Sequence, residues 1–207
     1  MTEPAKQLWL LAGGNGAGKS SFHRLFLEPR GLAMVNADRI ARALAPEAPE
    51  AASYDAAAQA EILRERLLET GASFCLETVF SHPSKVDFLA RAKALGYRII
   101  LIFIHVEPIE LNLARISQRV AAGGHAVPEA KVRARLPRSL ANLRKAIPLA
   151  DELWLLDNSS ADDPLRLVAR VVDGAIGKLA PRAPAWAREI LKGLPRSKLP
   201  RSKLPRM

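Results

Sequence analysis

Short apolar runs alternate with amphipathic segments along most of the 207-residue chain. Each run has the length of a buried β-strand, and each segment between runs carries apolar residues at helical spacing. The predicted strands cover residues 7–12, 32–37, 73–80, 97–106 and 151–159. The predicted helices cover residues 19–28, 38–44, 54–71, 84–96, 108–124, 125–147 and 164–179. This alternation predicts parallel βαβ units, and therefore an α/β three-layer sandwich around a five-stranded parallel sheet.

The first predicted strand runs directly into a glycine-rich stretch, GGNGAGKSS, at residues 13–21. Strand, glycine turn and helix is the context in which G-x-x-x-x-G-K-S holds a phosphate chain, because bare backbone N–H groups and the positive end of the helix face the anion. We predict that the loop binds ATP, with Lys19 on the β- and γ-phosphates and the Ser20 hydroxyl on Mg²⁺. The predicted nucleotide-binding residues are Gly13, Gly14, Asn15, Gly16, Ala17, Gly18, Lys19, Ser20 and Ser21.

Several absences narrow the class of nucleotide-binding protein. The chain contains neither the N-K-x-D motif of guanine recognition nor the L-S-G-G-Q signature of transporter ATPases. No apolar run approaches the roughly 18–20 residues of a membrane span, and the N-terminus lacks the pattern of a signal peptide. A single cysteine, Cys75, fits a reducing cytoplasm. These features favour a cytoplasmic small-molecule or nucleotide-type kinase that does not cross a membrane.

Two acids follow predicted strands and are candidates for the chemistry. Asp38 follows the second strand and Glu77 ends the third, so both carboxylates should point into the cleft beside the glycine loop. Asp38 is the predicted catalytic base for the acceptor hydroxyl. Its alternative role is a helix N-cap, which Asp favours. Glu77 is expected to hold Mg²⁺ through water or to bind the acceptor, the alternative being a surface acid.

The first of two basic segments lies between the fourth and fifth strands. Residues 115–145 contain eight Lys/Arg and one Glu. Gly123, Gly124 and Pro128 within this segment are candidate hinge residues. Arginines that close over a transferring phosphoryl group stabilise its charge and expel water. We therefore predict a helical, Arg-rich lid over residues 123–147, with Arg135 and Arg138 on one face. The alternative is a solvated basic surface.

The second basic segment is at the C-terminus. Residues 178–207 contain nine Lys/Arg and one Glu and end in the repeat LPRSKLPRSKLPRM. The repeat has no apolar periodicity, so we predict a kinase domain over 1–178 and a disordered tail over 179–207, with a short helix possible only in PAWAREILKGL. Weak, nonspecific binding of polyanions is the property expected of such a tail.

These motifs together resemble the zeta-toxin family of P-loop kinases over roughly residues 7–160. The similar stretches are GGNGAGKS, VNADRIA, LETVFS, AKALGYRIILIFI, RVAAGGHAVPEAKVRARLPRSLANL and ADELWLLDNS. The resemblance implies a kinase-type sandwich with strand order 2-3-1-4-5. It also implies ATP-dependent phosphorylation of the 3′-hydroxyl of UDP-N-acetylglucosamine, as in well-studied members, and an antitoxin protein as partner.

The resemblance assigns roles by position. Asp38 matches the family's catalytic base, in agreement with the interpretation from the strand pattern. Glu77 and Glu61 match acceptor-binding acids, and Arg119 matches an arginine that reaches the ATP phosphates.

Two departures from the family pattern concern the lid and the acceptor. His125 stands where UDP-sugar kinases of the family carry a second ATP-contacting arginine, and Ser81 stands where they carry a substrate-binding arginine. We infer that Arg135 or Arg138 takes over the lid's contact with phosphate. We predict that Ser81 contacts the acceptor, and we infer from the missing arginine that the acceptor need not be a UDP-sugar.

Three functions remain open at this point. The favoured one is an ATP-dependent kinase that phosphorylates a hydroxyl of a small metabolite, for which a nucleotide-sugar is one candidate. A nucleic-acid 5′-hydroxyl kinase or RNA-associated ATPase would use the basic tail, but aromatic residues make up only 5% of the chain and form no stacking ladder. A pure ATP-binding module would need no base, so Asp38 argues against it.

Overall fold

The computed structural model describes residues 6–123 and 126–197. Its strands are β1 (Gln7–Gly13), β2 (Ala33–Val35), β3 (Phe74–Thr78), β4 (Arg98–His105), β5 (Glu152–Asp157), β6 (Arg166–Val172) and β7 (Ala175–Leu179). Its α-helices are α1 (Lys19–Phe22), α2 (Ala37–Leu44), α3 (Ser53–Glu69), α4 (Ser84–Ala94), α5 (Ile109–Ala121), α6 (Glu129–Ala146) and α7 (Ala185–Leu191). A π-helical turn and a 3₁₀ turn continue α1, over His23–Leu27 and Glu28–Arg30, and a 3₁₀ turn over Ile147–Leu149 follows α6.

The strands form one mixed sheet in the order β2-β3-β1-β4-β5-β6-β7. The first five strands are parallel, so the predicted order 2-3-1-4-5 is confirmed. Two antiparallel strands extend the sheet beyond β5, so the described residues form seven strands where five were expected.

The prediction of a helix over residues 164–179 is wrong, because this segment forms the β6–β7 hairpin. Val172 pairs with Ala175 across a two-residue turn made by Asp173 and Gly174. Both turn residues have positive φ, 49° and 74°, and a two-residue hairpin turn with this geometry matches the twist of the flanking strands. The apolar residues of the segment therefore follow the period of a strand and not that of a helix.

Helices cover both faces of the sheet. One face packs against α3, α4, α6 and α7, through residues such as Leu10, Leu101 and Phe88. The other face packs against α1 and α5, through residues such as Leu11 and Phe22. The central strand β4 is buried on both faces, as its continuous apolar sequence predicts. The structure is thus the predicted three-layer sandwich, and the carboxyl ends of β1 to β4 meet at one edge of the sheet.

The folded part of the chain extends beyond residue 178, after which the sequence predicted a disordered tail. Helix α7 buries Trp186 and Ile190 in the core. Arg196 then forms a bridge with Ile176 on the outer strand β7. The described residues up to Ser197 are therefore part of the domain, and the predicted boundary at 178 lies too early. The rest of the predicted tail, 198–207, lies outside the described residues.

Part of the segment predicted as a lid, 123–147, belongs to the core. Leu143 and Ala146, near the end of α6, are buried there, while Arg144 and Lys145 beside them are exposed. Gly124 and His125 lie outside the described residues. No helix in the described parts of the chain is both long enough and apolar enough to span a bilayer.

Candidate active site

The glycine loop connects β1 to α1, as predicted. Gly16 and Gly18 adopt φ angles of 75° and 99°, which residues with a Cβ rarely adopt. A Cβ on Gly16 would lie 2.8 Å from the carbonyl oxygen of Asn112, and a Cβ on Gly18 would clash with the side chain of Asn158. Glycine is therefore required at both positions by backbone conformation and by close packing.

Two asparagines hold this loop in place. Asn112 of α5 donates from Nδ2 to the carbonyl oxygen of Asn15 at 2.8 Å, and Asn158, after β5, donates from Nδ2 to that of Ala17 at 2.9 Å. Both bonds join the loop to elements that are far away in sequence. Sequence reasoning missed these residues, because an isolated asparagine gives no signal of its partner.

Lys19 lies buried beneath the loop. Its Nζ donates to the carbonyl oxygens of Gly13 and Gly14, each at 3.0 Å, and lies 3.8 Å from Glu77 Oε1. Burial lowers the pKa of the ammonium, while the charges of Glu77 and Asp38 raise it in part. A phosphate bound next to Lys19 would offset the effect of burial, because its negative charge stabilises the charged ammonium.

Asn36 organises the two candidate acids. Its Oδ1 accepts from the backbone N–H of Arg39 and so caps α2, and its Nδ2 donates to Glu77 Oε2 at 2.8 Å. The N-cap of α2 is therefore Asn36 and not Asp38, which removes the alternative role considered for Asp38. Asp38 is exposed in the cleft and forms no hydrogen bond or ion pair with any residue of 6–123 or 126–197.

The loop, α2, α3, α5 and α6 surround an open cleft of about 1140 Å³. Most of the predicted site residues line it. Those that do are Asn15, Gly16, Gly18, Lys19, Ser20, Ser21, Asp38, Glu77, Ser81, Arg119 and Arg135. Gly13, Gly14 and Ala17 belong to the loop without lining the cleft.

Two predicted site residues lie outside the cleft. Glu61 is mostly exposed, and its carboxylate contacts Nη2 of Arg64 at 2.8 Å. Arg64, which was not predicted, lines the cleft in its place. Arg138 is exposed and donates from Nε to the carbonyl oxygen of Ala134 on its own helix. Arg135 instead points to the loop, with Nη1 3.4 Å from Asn15 Oδ1.

Arg115 is a further residue that sequence reasoning missed. It lies one helical turn before Arg119 on α5 and lines the cleft. Its Nη1 is buried and has no hydrogen-bond partner within the described chain. A buried guanidinium nitrogen without a partner is costly, so the cleft is suited to an anion that would accept this bond.

The cleft as a whole is strongly cationic. Ten Lys/Arg line it in the described chain, against three carboxylates. The cations are Lys19, Arg24, Arg39, Arg42, Arg64, Lys85, Arg115, Arg119, Lys131 and Arg135, and the acids are Glu28, Asp38 and Glu77. Such a field raises the local concentration of anionic ligands.

The residues that line the cleft fit a nucleoside triphosphate with a bound metal ion. The loop amides, Lys19 and the unpartnered Arg115 nitrogen are suited to phosphate oxygens. Within the described residues, no group of three or more His, Cys, Asp or Glu could hold a metal ion by itself. Mg²⁺ commonly takes only one or two protein ligands and completes its shell with water and phosphate. The exposed hydroxyl of Ser20, next to Lys19, is the protein ligand that the loop offers.

A phosphate-binding loop on a parallel core of order 2-3-1-4-5, with helices on both faces, defines a P-loop protein of the kinase type. The Zeta toxin family model matches residues 1–147, and the chain belongs to that family. A Haemophilus influenzae relative described as "Uncharacterized protein" is 32% identical in an alignment of 131 residues that covers 60% of this chain and 93% of the relative.

Several solved structures share the fold. A chain of the AvrRxo1-ORF1:ORF2 complex has a TM-score of 0.69 and 19% identity over 90% of this chain. This chain spans only 64% of that protein's length. The PezAT system of Streptococcus pneumoniae gives a TM-score of 0.59 and 16% identity over 82% of this chain and 72% of that one. The AvrRxo1 complex solved with ATP also has a TM-score of 0.59, at 19% identity.

Proposed function

We propose that the protein is an ATP-dependent kinase that transfers the γ-phosphate to a hydroxyl group of a small metabolite. One observation carries this proposal. A phosphate-loop lysine, Lys19, and a carboxylate free of hydrogen bonds and ion pairs to the described residues, Asp38, line the same cleft. A protein that only binds ATP has no use for such a carboxylate, whereas transfer to an alcohol requires an acceptor for its proton.

In the proposed reaction, the acceptor oxygen forms a bond to the γ-phosphorus and the bond from that phosphorus to the ADP oxygen breaks. Asp38 takes the proton of the acceptor hydroxyl. The loop amides and Lys19 hold the phosphates, while Arg115, Arg119 and Arg135 face the charge that moves to the leaving oxygen. Ser20 would ligate Mg²⁺, which neutralises phosphate charge when bound.

Family membership supports a nucleotide-sugar, such as UDP-N-acetylglucosamine, as one candidate acceptor. It also supports an antitoxin partner, since PezAT is a toxin–antitoxin system. Phosphoryl transfer from ATP is supported by the ATP-containing AvrRxo1 complex. No feature of the described residues favours a nucleic-acid 5′-hydroxyl kinase, and the C-terminal repeat that suggested it lies outside them.

The test is ATP turnover with a panel of nucleotide-sugars, nucleosides and RNA 5′ ends as acceptors. The Lys19→Ala variant, checked for an unchanged melting temperature, is the negative control. We expect a phosphorylated product with a small-molecule acceptor and none with Lys19→Ala. Product from RNA ends alone, or equal turnover by a folded Lys19→Ala protein, would contradict the proposal.

A further inference from the structure

One group of cleft residues, which includes two cations, lies on elements other than the phosphate loop. Arg64 comes from α3, Ser81 and His82 follow β3, and Lys85 lies in the first turn of α4. We call these four residues the α3–α4 corner. Since none of them belongs to the glycine loop, α5 or α6, the corner borders the part of the cleft available to the second substrate.

Lys85 is half-buried, and its Nζ forms no hydrogen bond or ion pair within the described ranges 6–123 and 126–197. Burial lowers the pKa of this ammonium and the charge of Arg64 lowers it further, while the charges of Glu61 and Glu65 raise it in part. The surroundings thus disfavour the charge of Lys85 in the absence of a ligand. An anion in the cleft would reverse this balance.

Arg64 is fixed in place at the same corner. Its buried side chain contacts Glu61 at 2.8 Å, and the guanidinium lies 5.1 Å from the centre of the Phe88 ring. Its Nε is buried and has no hydrogen-bond partner in the described chain. Glu65, 3.7 Å from that Nε, is also bound by Arg91 at 2.8 Å. The two carboxylates of Glu61 and Glu65 are thus shared among three cations, Arg64, Arg91 and Lys85. The positive charges outnumber the negative ones by one.

We propose that Lys85 and Arg64 form an anion subsite for the acceptor, so that the acceptor carries a carboxylate or a phosphate group in addition to its reacting hydroxyl. This inference rests on the proposed kinase function. In the proposed mechanism, the nucleotide phosphates are bound by Lys19, Arg115, Arg119 and Arg135, which also line the cleft. That assignment leaves the two cations of the α3–α4 corner for a second anionic group. Ser81, which lines the cleft with them, has a short neutral side chain.

The first test uses pairs of acceptors that differ only in one charged group. A nucleoside is compared with its 5′-monophosphate, and a sugar with its uronic acid and with its 6-phosphate, so that the two kinds of anion are separated. We expect wild-type kcat/KM to favour the charged member by about ten- to a hundredfold, the value of one or two charge-assisted hydrogen bonds.

The variants of this test are Lys85→Gln, Lys85→Arg and, as a control outside the cleft, Lys145→Gln. Lys85→Gln should abolish the preference, mainly by raising KM for the charged acceptor, and Lys85→Arg should restore most of it. Lys145→Gln should behave as wild type. An equal loss for charged and neutral acceptors, or no preference in the wild type, would overturn the subsite.

A second test does not depend on transfer. With MgADP filling the nucleotide half of the cleft, Lys85 is labelled by an amine-acylating reagent while inorganic phosphate or acetate is added. The label is quantified by peptide mass spectrometry. We expect either anion to protect Lys85 by about tenfold and to leave Lys145 unprotected. No protection by either anion would overturn the subsite. Protection without transfer to any acceptor would instead count against the kinase function alone.

Discussion

Asn36 donates a hydrogen bond to Glu77 at 2.8 Å and, through its other side-chain atom, caps the helix that carries Asp38. One amide thus links Glu77 and Asp38, since it orients the carboxylate at the end of β3 and fixes the start of α2. Glu77 in turn lies 3.8 Å from Lys19. The geometry between the phosphate loop and the candidate base therefore depends on a residue that does no chemistry itself.

Asn36→Ser and Asn36→Ala should separate these two roles. Serine caps helices about as well as asparagine but cannot donate to Glu77 from the same place, whereas alanine loses both bonds. We expect Asn36→Ala to lower the free energy of unfolding by about 1 kcal/mol more than Asn36→Ser. Both should slow transfer by several-fold, measured as single-turnover rates. A wild-type rate for Asn36→Ser would show that the bond to Glu77 does not position the site.

Asp38→Asn tests the proposed base. Asparagine has the same shape and cannot accept the proton, so transfer should fall by about 10²–10⁴-fold. ATP affinity should stay nearly unchanged, because Lys19 and the loop amides hold the nucleotide. The measurements are ATP binding by calorimetry and single-turnover transfer on the same preparation. A near wild-type transfer rate would leave the mechanism without its base.

The core and the nucleotide half of the cleft could be predicted from sequence because their signals are local. Strand β4 is one continuous apolar run, and the glycine loop has a spacing set by the phosphates it binds. The hairpin β6–β7 was missed for a local reason too. Its apolar residues also fit a helical period, although Asp173-Gly174 between two apolar segments is a strong hairpin signal.

The α3–α4 corner could not be predicted in the same way. Glu61 was assigned to the acceptor from its position in the family, but the structure turns its carboxylate to Arg64, and Arg64 is the residue that reaches the cleft. On a helix surface, neighbours three residues apart both lie near the same cleft, and only packing decides which one lines it. Here the guanidinium of Arg64 packs over the ring of Phe88, while the carboxylate of Glu61 is mostly exposed.

The C-terminal helix provides a prediction about stability. A chain ending after residue 184 loses the buried side chains of Ile190 and Leu191, each of which contributes about 1.5–3 kcal/mol. We expect this chain to melt at least about 10 °C below wild type. A chain ending after residue 197 should melt as wild type does, because the removed repeat has no apolar periodicity. The measurement is thermal unfolding followed by circular dichroism. Equal melting temperatures for the two truncations would mean that α7 does not contribute to the fold.

Arg135 and Arg138 give a matched pair for testing the lid. Both lie on α6, three residues apart, but only Arg135 lines the cleft and approaches Asn15 in the phosphate loop, at 3.4 Å. Arg138 is exposed and bonded to a carbonyl oxygen of its own helix. If Arg135 stabilises the charge of the transferring phosphoryl group, Arg135→Ala should lower the transfer rate by up to about 10³-fold, as for an arginine finger.

Arg138→Ala should stay within about twofold of the wild-type rate, because surface substitutions away from a site rarely have large effects. Single-turnover transfer and ATP affinity are measured for both variants under identical conditions. Weaker ATP binding by Arg135→Ala is also expected, since its guanidinium faces the loop that holds the nucleotide in the ground state. A larger loss for Arg138→Ala than for Arg135→Ala would require that α6 rearranges when the substrates bind, bringing Arg138 to the phosphate in place of Arg135.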